Sequence, residues 1–315
     1  MPLAYHPDFV APMNAVKAIT ENLPPLPRGD WKALRAGTEQ LQLHGTATAA
    51  VFDDVTCTDH FVTTADGASI KLRWITRRHS VPGSAVVYLH GGGMIMGDVE
   101  ACTPLVAGYV HDTGVPFLAV DFRNAPEVPG TTLAEDAFAG LEWLLDHADE
   151  LGVNPARVAV MGESGGGGIA AGTAILARDR GVALAAQILV APMLDDRATE
   201  PDPQLSPLAT WNYEANHAAW SAVLGDQLGA VDVPPTVAPA RLTDATGLAP
   251  AYIDVGTVDI FRDEDIAYAV KLLRAGTPVE LHLYPGATHG FEGLAPESSL
   301  VALAQQNRAA AIRAL

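Results

Sequence analysis

The chain has 315 residues, 49% of them hydrophobic and 18% charged, enough to bury a large core without disulfides or a partner, which excludes a disordered protein. Lys and Arg number 19 against 37 Asp and Glu, and the resulting net charge of −18 repels phosphate backbones and anionic headgroups, so nucleic acid is a poor partner. Cys57 and Cys102 are the only cysteines, too few for a disulfide scaffold, and they suit a reducing compartment. The N-terminal "MPLAYHPDFVAPMNAV" has no basic region followed by an apolar one, and no apolar run nears the roughly 20 residues that a membrane helix requires. The expectation is a cytoplasmic protein without membrane insertion.

Residues 1–45 hold "ENLPPLPRGDW" between two short amphipathic segments, a composition for helices and turns, and are read as an N-terminal cap segment or arm. Extended segments follow at 48–62, 69–77, 84–89, 116–121, 157–162, 186–191, 250–256 and 279–284, which makes eight strands. The later ones are continuous apolar runs, as expected where both faces of a parallel sheet are covered. Helices are expected at 101–113, 131–149, 166–180, 262–275 and 296–314, the second starting in a capping box of Thr132 and Glu135. This alternation predicts an α/β fold, a mostly parallel eight-stranded sheet flanked by helices. The proline-rich stretch 195–249, with a helical "TWNYEANHAAWSAVLG", interrupts it as an excursion outside the sheet. The expected division is a cap segment at 1–45, a core at 46–194, a cap insertion at 195–249 and the rest of the core at 250–315.

"RVAVMGESGGGGIAAGTAIL", residues 157–176, passes from a strand through glycines into a helix. Within it Gly162-Glu163-Ser164-Gly165-Gly166 fits G-x-S-x-G, the strained strand-to-helix turn that exposes a serine hydroxyl above a sheet. Residues 165–170 also fit a loose dinucleotide fingerprint. That reading is weaker, because Glu163 and Ser164 intervene after the strand and the next strand ends at Pro192 before any carboxylate. No cofactor or metal is expected.

A serine nucleophile needs a base, and the base needs a carboxylate to orient it. Asp259, in "GTVDIFRDED", and His289, in "YPGATHGFE", each follow a later strand, and both fall on the sheet edge that carries Ser164. The other candidates are placed worse. His282 and Asp254 lie inside strands, His217 lies in the cap helix, and His44, His60 and His79 precede the sheet core. Asp263 and Asp265 fall on a helix, where a solvated first turn is expected. The oxyanion donors are expected from "HGGG", where Gly91, Gly92 and Gly93 follow a strand, together with the amide of Gly165. His90 is given a structural part in shaping that loop.

With "HGGG" at 90–93, "DFRNAPE" at 121–127, "GESGG" at 162–166, "GTVDIFRDED" at 256–265 and "YPGATHGFE" at 284–292, the chain resembles the hormone-sensitive-lipase-like family of α/β-hydrolases over roughly residues 60–315. The resemblance implies Ser164 as nucleophile, Asp259 and His289 as its partners, and Gly91, Gly92 and Gly165 as oxyanion donors. It also implies a carboxylesterase for short to medium acyl chains, under a cap built from 1–45 and 195–249. Asn124 and Glu163 depart from the usual "DYRLAPE" and "GDSAGG", which shifts neighbouring hydrogen bonds and substrate preference. Met94, Glu163, Trp211 and Tyr213 are candidates for the substrate pocket, with Trp220 beside them. The same triad serves an amidase or deacetylase equally well, and a receptor without turnover is the remaining alternative. An edge strand at 279–284 followed by a C-terminal helix suits pairing across a two-fold axis, so a homodimer is a further expectation.

Overall fold

The computed structural model describes residues 3–20, 26–46, 51–80 and 83–315, with the side chains of all of these except 39–46. Two helices come first, α1 (Pro7–Thr20) and α2 (Trp31–Thr46), then β1 (Val55–Thr63), β2 (Ser69–Arg77) and β3 (Ala85–Leu89). Helices and strands then alternate: α3 (Val99–Thr113), β4 (Phe117–Val120), α4 (Gly130–Asp146), α5 (Ala148–Leu151), β5 (Val158–Glu163), α6 (Gly165–Asp179) and β6 (Ala186–Val190). After a long excursion that holds α7 (Tyr213–Leu224), the chain returns through β7 (Ala251–Gly256), α8 (Arg262–Arg274), β8 (Val279–Tyr284), α9 (Phe291–Leu294) and α10 (Ser299–Arg313). The strands form one eight-stranded sheet in the order β1-β2-β4-β3-β5-β6-β7-β8. β2 is antiparallel to β1 and to β4, and every other neighbouring pair is parallel.

Every residue of β3, β4 and β7 is buried, because side chains alternate between two covered faces. Val86 and Tyr88 point to one face, where they meet Phe117, Val106, Val110 and Ile312. Val87 and Leu89 point to the other, against Leu118, Phe138, Leu141 and Ile175. The edge strands differ, β1 and β8 being half-buried or exposed at most positions.

Four sequence expectations shift. β1 begins at Val55, and residues 48–50 of the expected strand lie outside the described residues. The helix expected at 131–149 is two, because His147 ends α4 and its ring stacks on Trp143 at 4.2 Å. Thr132 caps nothing: α4 starts at Gly130 behind Pro129, which makes no side-chain cap bond. The first turn there lies hard against α7, since a Cβ on Gly130 would stand 2.7 Å from Val223. Asp265 is fully buried rather than solvated, because α8 turns that side of its first turn toward the sheet, whereas Asp263 stays 67% exposed.

α2 packs on α7 and α3, and α1 packs on α9. The N-terminal helices therefore lie over the same edge of the sheet as the excursion at 195–249, above the C-terminal ends of the parallel strands.

Candidate active site

β5 ends at Glu163, and the next residue, Ser164, adopts φ 54° and ψ −121° before α6 begins. Such a conformation costs on the order of 1–3 kcal/mol and persists only where the surroundings fix it. The backbone here is fixed on both sides. Ser164 N–H donates to Val190 O at 2.9 Å, and Ser164 O accepts from Met193 N at 2.9 Å and from Gly168 N at 3.1 Å. The flanking glycines are required by close approach: a Cβ on Gly162 would lie 2.1 Å from Gly166 O, and one on Gly166 2.1 Å from Leu89 O.

β7 and β8 deliver the other two members. Asp259 follows β7 and is 1% exposed, with Oδ1 accepting from Phe261 N at 3.0 Å. His289 follows β8, with Nδ1 2.7 Å from Asp259 Oδ2 and Nε2 2.9 Å from Ser164 Oγ. A carboxylate only accepts, so Nδ1 carries the hydrogen and Nε2 is left to accept from the serine hydroxyl. Burial disfavours a charge on the ring, but the Asp259 carboxylate, through charge and hydrogen bond, outweighs it together with the charges of Glu292 and Glu163, and His289 is held above its ordinary value. The edge of Phe261 meets the imidazole at 5.1 Å, and Thr210 Oγ1 donates to His289 O at 2.6 Å, tying this loop to the excursion.

The HGGG loop leaves β3 and folds over the turn at Ser164. A Cβ on Gly165 would stand 2.5 Å from Met94 N, and Gly91 lies against Glu163 O and Ser164 Cβ. Gly92 needs its φ of 120° so that its carbonyl can accept from both Ile95 N and Met96 N. His90 is buried, its Nδ1 2.8 Å from Gly91 O and its ring stacked on Phe122 at 4.2 Å, and burial lowers its pKa. It is a neutral brace for the loop. Asn124 Nδ2 donates to Gly97 O at 3.1 Å, fastening the far end of the loop to the segment 121–127.

A cavity of about 700 Å³ opens over Ser164 and His289. Its walls include Gly91, Gly92, Glu163 and Trp211, and one side of α3 contributes Ala101, Pro104 and Leu105. Of the four expected pocket residues, Glu163 and Trp211 are therefore in the wall. Met94 and Tyr213 are not. Met94 is 2% exposed and turned into the core against Gly168, while Tyr213 faces the main core seven residues before Trp220, on the same side of α7. Trp211 precedes that helix and so escapes its periodicity.

The remaining candidates lie elsewhere. His282 sits on edge strand β8, 2.6 Å from Glu280, His60 lies against Trp143, His217 neighbours Ser221 in α7, and His79 occupies a turn at φ 62°. The side chain of His44 is outside the described residues. Asp254 binds Arg308 through two hydrogen bonds of 2.7 and 2.9 Å, and Arg308 also reaches Glu292 at 2.5 Å. Sequence reading missed this buried cluster, and also the bond from Tyr109 Oη to Glu163 Oε1 at 3.0 Å. Burial pushes the Glu163 carboxyl up to about 7. Among the described residues no group of three or more His, Cys, Asp or Glu is placed to hold a metal ion.

This sheet, with a serine, a histidine and an aspartate at the strand ends, is the architecture of the α/β-hydrolases. A family model described as alpha/beta hydrolase fold matches residues 86–293. The chain belongs to that family, within its hormone-sensitive-lipase-like branch. An ethyl acetate hydrolase of Pseudomonas putida is 30% identical over 295 residues, 92% of each chain. Carboxylesterase NlhH of Mycobacterium tuberculosis is 36% identical over 220 residues, 67% of each. The solved structure of a bacterial heroin esterase superposes with a TM-score of 0.89 at 33% identity, covering 98% of this chain and 97% of that one.

Proposed function

We propose that this ester hydrolase of the α/β-hydrolase type is a serine carboxylesterase, acting on short- to medium-chain carboxylic esters through an acyl-enzyme. The observation that carries the reading is the unbroken run from Asp259 through His289 to Ser164, with separations of 2.7 and 2.9 Å. Ser164 Oγ attacks the ester carbonyl while His289 Nε2 takes its proton and then gives it to the leaving alcohol. Asp259 holds the tautomer and stabilises the imidazolium. Water then attacks the acyl-serine with His289 again as base, which restores the enzyme. The amides of Gly91, Gly92 and Gly165 stabilise the tetrahedral oxyanion, and no cofactor or metal enters the cycle.

Residues 1–45 and 195–249 form the cap in this reading, and a cavity of about 700 Å³ suits a small ester. A cytoplasmic setting agrees with two free thiols, Cys57 and Cys102. Among the described residues no helix is long and apolar enough to cross a membrane. Pairing of two copies through β8, where Leu283 is 41% exposed, completes the proposal and is read by mass in solution. The test of the chemistry is Ser164→Ala: p-nitrophenyl acetate hydrolysis falls by about 10⁴-fold or more while thermal unfolding barely moves. A variant that keeps most of its turnover refutes the assignment, and a matched anilide assayed in parallel separates esterase from amidase.

A further inference from the structure

The side chains around the reactive serine carry an excess of negative charge. Glu163 and Asp98 line the cavity, and no lysine or arginine is found among its described lining residues. Behind the triad lies a smaller space of about 100 Å³, bordered by Asp254, Asp259, Glu292 and Arg308. Arg308 is the only lysine or arginine there among the described residues, and it is already committed to Asp254 at 2.7 and 2.9 Å and to Glu292 at 2.5 Å. Its charge also favours the ionised form of Glu163, but one positive charge is shared there among Asp254, Glu292 and Glu163, which leaves the group negative on balance. Glu163 Oε1 accepts from the uncharged Tyr109 hydroxyl at 3.0 Å, and Oε2 takes no hydrogen bond from a described residue. The indole of Trp211 adds an aromatic wall beside His289, with ring centroids 6.4 Å apart. Such a face attracts cations.

We infer that the cavity selects esters that carry an alkylammonium group, with Glu163 as the principal anionic contact and Asp98 as the second. The inference rests on the esterase reading above. A cation that enters meets Glu163 in a partly water-excluded space, where attraction is stronger than in bulk water, whereas Asp98 is exposed and attracts more weakly. The net charge of −18 raises the local concentration of cationic substrates around the whole molecule. An ester that carries a carboxylate meets the same charges as repulsion.

The test compares kcat/KM within isosteric pairs that differ only in replacing a quaternary nitrogen by carbon. Acetylcholine against 3,3-dimethylbutyl acetate places the charge on the alcohol side. Phenyl 4-(trimethylammonio)butyrate against phenyl 5,5-dimethylhexanoate places it on the acyl side. At about pH 8.5, where an acid of pKa about 7 is almost wholly ionised, the charged member is favoured about tenfold or more in at least one pair. Glu163→Gln brings that ratio toward one, and the ratio is independent of any general loss of turnover. Asp98→Asn is the second variant; asparagine still caps α3, so it reads the charge where Glu163→Gln does not fold, and it lowers the ratio partway. Equal rates in both pairs overturn the inference, as does a preference that survives both substitutions. Absence of hydrolysis of every ester, charged and neutral alike, instead overturns the esterase reading beneath it.

Discussion

At the scale of single residues, the geometry of His289 sets a pH dependence. A base must be unprotonated to act, and the Asp259 carboxylate raises the His289 pKa above the ordinary 6.5. Activity is therefore full on the alkaline side and falls as pH drops through the raised value. The acid limb of the kcat/KM profile lies above pH 6.5, and a midpoint at or below that value contradicts the account. Asp259→Asn removes the carboxylate and leaves the amide to offer the wrong hydrogen-bond partner to Nδ1. Turnover drops by about 10⁴-fold, and the limb of what remains moves to lower pH. Neither change needs the fold to alter. Asp265 shows the opposite behaviour in a structural role. It is fully buried, both carboxyl oxygens lack a partner among the described residues, and burial lifts its pKa well above 3.8. The stability it confers is complete below the unfolded value of 3.8 and declines as pH rises toward the raised folded value. Asp265→Asn removes that decline, so its melting temperature relative to the parent rises between about pH 5 and pH 8. A difference that is constant across that range refutes the argument.

At the scale of elements, the turn between β5 and α6 depends on backbone contacts that leave no room for a side chain. Gly166→Ala forces a methyl to within 2.1 Å of Leu89 O and 2.3 Å of His90 O, so β3 and α6 must separate. The cost is about 3 kcal/mol or more, read by denaturant unfolding, and activity falls with it because the HGGG loop is displaced together with Ser164. A stable, fully active variant contradicts this packing. The strands were legible because a buried parallel strand has to be apolar throughout, as β3 and β4 are. Ser164 and Asp259 were legible because each follows such a run, and His289 because it follows the last strand, β8, an edge strand that alternates apolar with polar residues. Helix starts were less so. Thr132 has the spacing of a capping box, yet contact between Gly130 and α7 decides where α4 begins. Tyr213 and Trp211 stand two residues apart in a segment whose helix start was not fixed by its composition, so which of the two faces the cavity depended on where α7 begins. The Arg308 cluster links β7, α9 and α10 across 54 residues of chain, and no local pattern announces a pair at that separation.

At the scale of the whole molecule, the sheet brings to one rim groups separated by 95 and 30 positions along the chain, and the buried charges behind that rim hold its far side together. Arg308 is 2% exposed and Asp254 is fully buried. Breaking such a pair from one side leaves an uncompensated charge in the interior, which costs about 3–5 kcal/mol. Arg308→Met therefore lowers stability by that amount in equilibrium unfolding, more than removal of the exposed pair between Arg28 and Glu200, which costs at most about 1 kcal/mol. Equal losses from the two substitutions contradict the ranking. The same cluster borders the small space behind Ser164 and His289, so stability and the electrostatic setting of the site have a common source.

The central claim is that Ser164 is an activated nucleophile, and it is tested most directly by reacting the native protein with a fluorophosphonate and locating the adduct by peptide mass spectrometry. The account predicts a single phosphonylated residue, Ser164, with labelling lost when His289 is replaced by alanine. An adduct on any other residue, or folded protein that takes up no label, contradicts it.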